Sequence, residues 1–443
     1  MANTYLSRTP SSAGNRQTWT ISAWIKRGAL GSYQNICCSR SDANNAMHLC
    51  FDDVDRLFYQ HYLGSSVQGE LKTNRKFRDL NCWYNVVITF DSTNGTAGDR
   101  QKMYINGVEE TSFATDTNIG VNQTSDWNDI SNPMYIGQGG ASNNYWTGSM
   151  SYVAFIDGTA EAPGIFGETD STTGEWKIKT SITPSSGWGT NGFLILKDGN
   201  TGTDQSTNSN NFAVGGGTLT KTEDCPSNVF ATWNPLTKLH NGTYTFTNGN
   251  TTCEANVRRG MHSTLGASSG KFYWETKLIS NNNTNNNATG ISAKHSTAGN
   301  DGTGEAAEEY VYKSDGEKAS NNSNSSYGNT YTNGDIIGVA MDLDNNKLYF
   351  SKDGVWQNSG VPTSGSTGTG AISITAANST TDGFYLANAG NQNDTAKWSA
   401  NFGNGYFGTT AVSSAGTNAS GIGIFEYDVP TGYTALSTKG LNE

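Results

Sequence analysis

The sequence predicts an all-β protein built from two tandem antiparallel β-sandwich (jelly-roll) domains. Helical periodicity is nearly absent from the 443 residues, whereas short apolar runs with a period of two recur throughout. Turn signals separate these runs, from 53 glycines and about 50 asparagines, both above ordinary usage. Aromatic residues make up 11% and proline supplies only 8 positions, so a chain with 34% hydrophobic residues still has the means to build cores rather than stay disordered. At roughly 150 residues per domain, the length allows two or three domains.

Taken in order, Trp19-Thr20-Ile21-Ser22-Ala23-Trp24-Ile25 alternates large apolar with small or polar residues, the pattern of a half-buried strand. Trp83-Tyr84-Asn85-Val86-Val87-Ile88-Thr89-Phe90 is rich in β-branched and aromatic residues. Met103-Tyr104-Ile105-Asn106-Gly107-Val108 sets Asn-Gly between apolar residues, a hairpin signal because both central positions need φ > 0. Tyr135-Ile136-Gly137 and Tyr152-Val153-Ala154-Phe155-Ile156-Asp157-Gly158 read as further strands, and Phe193-Leu194-Ile195-Leu196 as a closing one. The first sandwich is expected over residues 1–200. The Ser/Thr/Asn stretch that follows suggests a linker over 201–228, and Phe230-Ala231-Thr232-Trp233-Asn234-Pro235-Leu236 opens a second sandwich over 229–443. Within it, Asp342-Leu343-Asp344-Asn345-Asn346-Lys347 predicts a two-residue hairpin at Asn345-Asn346. The runs 281–287 and 321–326, almost all Asn and Ser, are expected to be loops.

Some of these residues carry a family resemblance. Trp24-Ile25-Lys26-Arg27, Trp83-Tyr84-Asn85-Val86-Val87, Tyr104-Ile105-Asn106-Gly107 and Ile136-Gly137 resemble the laminin-G-like, concanavalin A-like sandwich. Phe155-Ile156-Asp157-Gly158, Phe166-Gly167-Glu168-Thr169-Asp170 and Thr173-Gly174-Glu175-Trp176 resemble lectin-like modules of tailed-bacteriophage virion proteins, marine phages especially. In the second block Gly270-Lys271-Phe272-Tyr273-Trp274-Glu275, Gly334-Asp335-Ile336-Ile337-Gly338-Val339-Ala340-Met341-Asp342 and Leu348-Tyr349-Phe350-Ser351-Lys352-Asp353-Gly354 are similar to the SPRY domain, another two-sheet sandwich used for binding.

Charge narrows the functional classes. Lys+Arg 28 against Asp+Glu 39 gives a formal net charge of −11, with only 15% of residues charged. No clustered cations are available to displace counterions from phosphates, so nucleic acid is not an expected partner. No stretch approaches the roughly 18 apolar residues of a transmembrane helix, and none is expected to insert in a membrane. Met1 to Tyr5 lacks the basic and apolar stretches of a signal peptide, so folding in a cytoplasm is expected. Cys37, Cys38, Cys50, Cys82, Cys225 and Cys253 are irregularly spaced and are expected to be reduced.

Catalytic patterns are poorly supported. A retaining glycosidase needs two carboxyl groups about 5–5.5 Å apart, but Glu-x-Asp-x-x-Glu is absent. Asp52-Asp53-Val54-Asp55 and Asp342-Leu343-Asp344 read as turn and strand-end acids facing solvent, and Glu305 to Glu309 as solvated. Gly266-Ala267-Ser268-Ser269-Gly270 matches Gly-x-Ser-x-Gly, but a strand follows where a nucleophile elbow needs a helix. His48, His61, His240, His262 and His295 form no His-Glu-x-x-His. Calcium is the best metal candidate, at Asp342-x-Asp344-x-Asn346 or around Asp91 and Asp99, although Lys347 stands where a calcium loop needs glycine. No other cofactor is expected.

Aromatics remain as candidate sugar contacts. Trp24, Trp83 and Trp274 sit on apolar strands and are expected in cores. Trp127, Tyr145, Trp146, Tyr327 and Tyr331 stand in polar loop contexts, where packing and ligand contact are equally open. The resemblance implies a structural protein of a phage virion, made in the bacterial cytoplasm, as tail fibre, spike or head-surface decoration. Its expected partners are other virion proteins and a host-surface glycan or protein, met by a homo-oligomer. A mainly architectural decoration is the alternative, and a β-sandwich glycanase ranks below both.

Overall fold

A computed structural model describes residues 3–197, 202–236, 243–255, 259–281, 287–293, 303–391 and 395–442. His240, His295 and Asn282 to Asn286 lie outside the described residues. The chain divides into two compact units, 1–221 and 222–443. Each is an antiparallel β-sandwich, the predicted fold class.

In the first unit an eight-stranded sheet runs in the order Phe113–Thr117, Ser66–Lys76, Arg56–Leu63, Ala46–Phe51, Gln34–Arg40, Met134–Ile136, Tyr5–Arg8, Ala213–Gly216. A six-stranded sheet runs Phe193–Ile195, Gly148–Asp157, Thr18–Arg27, Tyr84–Asp91, Gln101–Ile105, Val108–Glu109. Alternation sends Leu6, Cys37, Met47, Leu49, Leu57, Tyr59, Leu71, Met134 and Ile136 inward from the first sheet, against Trp19, Ile21, Val86, Ile88, Phe90 and Phe155 from the second. Trp19 stacks on Phe90 with ring centroids 4.9 Å apart. Each such side chain contributes about 1.5–3 kcal/mol by leaving water. Asn106 and Gly107 both take positive φ between paired Ile105 and Val108, so the Asn-Gly hairpin is the two-residue turn expected. Ala213–Gly216 pairs with Tyr5–Arg8, so this part of the expected linker is instead an edge strand of the first sheet.

In the second unit a nine-stranded sheet follows the path Tyr244–Thr247, Thr252–Ala255, Ala396–Asn401, Lys271–Asn281, Ile336–Asp342, Lys347–Lys352, Val355–Trp356. A six-stranded sheet runs Arg259–Ala267, Tyr385–Asn391, Asn287–Ser292, Glu309–Lys313, Glu317–Ser320, Ser323–Ser326. Trp274, Trp398, Tyr273, Tyr312, Tyr349 and Phe350 fill the core. Two turns differ from expectation. Asp342 pairs with Lys347, so the loop between them has four residues, with positive φ at Asn346 only. The run 321–326 is a hairpin, not a loop: Asn321 and Asn322 take positive φ, and Ser323–Ser326 pairs with Glu317–Ser320 as an exposed edge strand. An edge strand needs only backbone partners on one side, so it tolerates polar side chains that no core would.

All six cysteines are free thiols, with Cys37, Cys38, Cys50 and Cys253 buried. Among the described residues, no helix is long and apolar enough to cross a membrane.

Candidate functional site on the eight-stranded sheet

The two outer faces of the first sandwich differ. On the six-stranded sheet, Thr20 donates to Thr159 O (2.8 Å) and accepts from Glu161 N (2.7 Å), while Trp176 Nε1 donates to Asn85 Oδ1 (3.2 Å). The Trp176 ring lies so close to Gly107 that a Cβ there would meet it at 2.3 Å. The segment after Gly158 therefore covers that face, and Trp24, which points away from the inter-sheet core, is buried with Trp83.

The outer face of the eight-stranded sheet carries a polar and aromatic row instead. The residues alternating with the core set are Tyr5, Tyr135, Cys38, Arg40, His48, Phe58, Gln60, Glu70 and Lys72. Direct cross-strand register joins Tyr135 to Cys38, Cys38 to His48, His48 to Gln60 and Gln60 to Glu70. At about 4.8 Å per strand, this row spans roughly 19 Å. One end holds three half-buried tyrosines, with Tyr5 6.0 Å from Tyr135 and 6.1 Å from Tyr145 between ring centroids. Tyr145 comes from the loop after Ile136, which is anchored by Asn35 N to Asn144 O (2.9 Å) and Trp146 N to Gly137 O (3.0 Å). Gln138 Nε2 reaches the Tyr145 hydroxyl at 3.4 Å. At the other end Glu70 accepts from Gln60 Nε2 at 2.7 Å and pairs with Lys72 at 2.9 Å, and the Lys72 ammonium stands 5.1 Å over the Phe58 ring. His48 contacts Asn35 Oδ1 through Nδ1 (3.2 Å); burial, with Arg40 adding to it, pushes its pKa down to about 4. The row thus offers rings for stacking, amides and hydroxyls for hydrogen bonding, and an imidazole held neutral.

The five aromatics singled out from sequence separate sharply. Tyr145 belongs to this face. Trp146 is half-buried and packs inward on the core, 6.1 Å from Phe51. Trp127 is fully buried, edge-on to Phe155 at 5.8 Å. Tyr327 and Tyr331 are also core residues, not surface contacts. Tyr327 accepts from Phe350 N (3.2 Å), and the Tyr331 hydroxyl lies 2.9 Å from Tyr312 O and 3.1 Å from Asn287 O. Polar flanks left burial open, and these hydroxyls found backbone partners inside. Tyr5, Tyr135, Arg40 and Glu70 were missed, although alternation with Leu6, Met134, Ile136 and Leu71 was the available signal.

Half of the acids read as solvated, Asp52, Asp55, Asp342 and Glu309, are buried. Asp55 accepts from Arg27 (3.1 Å), from Gly31 N (2.9 Å) and from Arg78 (3.2 Å). Asp52 closes its own turn on Val54 N and Arg56 N and pairs with Arg56 at 2.7 Å. Both sit where a strand end must satisfy backbone N–H groups away from water, leaving Asp53 exposed. Glu309 is buried too, holding Gly304 N and Asn388 Nδ2; burial pushes its carboxyl up to about 7. Asp342 pairs with Lys271 (3.1 Å) and accepts from Asn345, while Asp344 accepts from Gly270 N (2.8 Å). Each of these carboxylates is thus already engaged by donors of the chain. Asp91 accepts from Thr18 and Thr93, and Asp99 pairs with Lys102 at 3.0 Å. Among the described residues, no three His, Cys, Asp or Glu are grouped to hold a metal.

Residues 2–166 match the Laminin_G_3 family, described as the concanavalin A-like lectin/glucanases superfamily, and residues 271–382 match the SPRY domain. No curated protein matches the chain. Among solved structures it is similar to the SPRY domain of human HERC1, at 13% identity over 38% of this chain and 96% of that one (TM-score 0.28). It is also similar to the native heptameric SAP-like pentraxin from Limulus polyphemus, at 17% identity over 36% and 71% (TM-score 0.28). A proposed carbohydrate-binding protein from Bacteroides ovatus is similar at 17% identity over 49% of this chain and 57% of that one (TM-score 0.34). By the family matches, the first sandwich is similar to the laminin-G/concanavalin A-like domain and the second to the SPRY domain.

Proposed function

We propose that this chain is a glycan-binding structural protein of a tailed-phage virion, and that the outer face of its eight-stranded sheet is the contact surface. One observation carries the binding part: of the two outer faces in the first sandwich, one is covered by the chain's own segment, whereas the other leaves Tyr5, Tyr135, Tyr145, Arg40, His48 and Gln60 partly exposed around the buried Cys38, Phe58 and Glu70. Pyranose rings stack on half-buried aromatics while their hydroxyls exchange hydrogen bonds with amides, so a surface of this chemistry suits a sugar chain. The reading is of a binder, not an enzyme, since Glu70 on this face is tied to Lys72 and Gln60 rather than set beside a second carboxyl group.

The virion part rests on the resemblance of residues 155–176 to phage lectin-like modules. In this reading the protein is made in the host cytoplasm and assembles with other virion proteins as a tail fibre, spike or head decoration. Copies in a homo-oligomer then multiply weak contacts with a host-surface glycan. The test is competition. Purified full-length protein is expected to block adsorption of the phage that encodes it, and Tyr5→Ala/Tyr145→Ala protein to block at least about tenfold less well. Presence in purified particles with no effect on adsorption would instead mark an architectural decoration, and absence from particles would sink the virion reading.

A further inference from the structure

We infer that Arg40 makes this face selective for an acidic sugar, a uronate-bearing polysaccharide whose carboxylate it takes in its guanidinium fork. The inference rests on the glycan-binding reading above and names its ligand class. The first unit has eight arginines. Five reach a carboxylate: Arg16, Arg27, Arg56, Arg75 and Arg78. Arg8 donates to side-chain amides, and Arg100 uses both terminal nitrogens on carbonyls of Ile119 and Gly95. Arg40 differs. Its Nε donates to Asp42 O at 2.8 Å, which fixes the plane of the group, and its two terminal nitrogens have no hydrogen-bond or ion-pair partner among the described residues.

Its position matches the role. Arg40 lies two residues beyond Cys38, the cross-strand partner of Tyr135, so it shares the outer face about 7 Å along the strand from the tyrosine row. The loop that bears Tyr145 packs on its stem: a Cβ at Gly140 would meet Arg40 Cβ at 2.9 Å and Cys38 Sγ at 3.2 Å. A half-buried guanidinium with a fixed plane and two free donors is preorganised for a planar, two-oxygen acceptor. The charges around it do not pre-empt that acceptor. Asp42 has its carboxylate on Asn44 N (2.6 Å) and Asn45 Nδ2 (3.0 Å). Asp126 lies 3.7 Å from Arg16, and burial pushes its carboxyl up to about 6. His48 and Cys38 also face Arg40; His48 is neutral above about pH 4, and burial keeps the Cys38 thiol protonated. With a net charge of −11, affinity must come from this short-range fork rather than from the long-range field.

The experiment uses full-length protein and a panel of alginate, polygalacturonate and hyaluronate, each beside its carboxyl-reduced neutral form. At least one acidic form is expected to bind about tenfold or more tightly than its neutral form. Arg40→Gln should erase that difference, and Arg40→Lys should recover part of it, with unchanged thermal unfolding in both. Equal binding of acidic and neutral forms, or full selectivity in Arg40→Gln, would overturn the inference while leaving the glycan-binding face intact. No binding to any member in either form, together with no binding to host-surface glycans, would overturn both.

Discussion

In the first sandwich Tyr5, Tyr135 and Tyr145 lie on the outside of a sheet, whereas in the second Tyr312, Tyr327 and Tyr331 lie within the core and pack against Phe350 and Trp398. Tyr145, Tyr327 and Tyr331 all come from stretches of similar polar composition. What separates them is the fate of the hydroxyl. Tyr327 and Tyr331 meet backbone groups inside, so burial costs them no unpaired oxygen. Tyr145 is fixed by a loop that crosses the face, and among the described residues its hydroxyl is reached only by the Gln138 side chain. A tyrosine in a polar loop is therefore a surface contact only where the fold gives its hydroxyl no internal partner.

The ionisable groups that each sandwich buries differ as well. The first encloses His61, which is fully buried, stacks on Phe90 at 5.1 Å and has no hydrogen-bond partner at either ring nitrogen among the described residues; burial pushes its pKa down to about 3. The second encloses Glu275 and Glu309, both pushed up to about 7 by burial. Glu275 is nevertheless held by four donors: Tyr273 Oη, Asn401 Nδ2, Glu426 N and Tyr427 N. Proton uptake thus works in opposite directions in the two units. A histidine with a depressed folded pKa stabilises fully above its unfolded value of about 6.5 and loses that contribution as pH falls. A carboxyl with a raised folded pKa is penalised above about 7, and the penalty fades as pH falls toward its unfolded value of about 4.5.

The largest expected effects break one core at a time. Asp55→Ala leaves the buried Arg27 guanidinium without its carboxylate and should cost the first unit about 3–5 kcal/mol. Trp127→Ala, which empties a fully buried indole site, should cost about 3–5 kcal/mol, again in the first unit's unfolding transition alone. Differential scanning calorimetry checks both, and a matching loss in the second transition would contradict the division into two units.

Next in size is pH. Between pH 8 and pH 5 the first unit should lose about 2 kcal/mol through His61 and a similar amount through His48, with Asp126, raised to about 6, offsetting part. Over the same range the second should gain about 2 kcal/mol from each of Glu275 and Glu309. The two melting transitions should therefore move in opposite directions, and His61→Leu should roughly halve the first unit's histidine contribution, leaving that of His48. Parallel shifts would show that these burials do not govern the titration.

The smallest effect on stability sharpens the comparison most. Tyr145→Ala should change the first transition by about 1 kcal/mol or less, because the ring is only half-buried, while Tyr331→Ala should cost the second unit about 3 kcal/mol or more. Glycan affinity should fall about tenfold with the first and stay unchanged with the second.

The fold was legible because period-two alternation and Asn-Gly turns are local signals, as at Trp19 to Ile25 and Asn106-Gly107. The hairpin at 321–326 was not, since an exposed edge strand is held by backbone pairing that leaves no mark on side-chain pattern. The site was half legible. Tyr145 stood out in its loop, but Tyr5, Tyr135 and Glu70 sit on strands whose core partners dominate the pattern. Their meaning depends on cross-strand register, which brings residues far apart in sequence into one row. Asp55 and Glu309 were misread for a related reason, because an acid beside a turn is solvated or buried according to which donors the fold delivers.

The most direct test is hydrogen-exchange mapping of the full-length protein with and without a host-surface glycan preparation. Protection is expected on residues 34–40 and 134–147, with the second unit unchanged. Protection concentrated in the second unit, with residues 34–40 and 134–147 unaffected, would contradict the assignment of binding to the eight-stranded sheet.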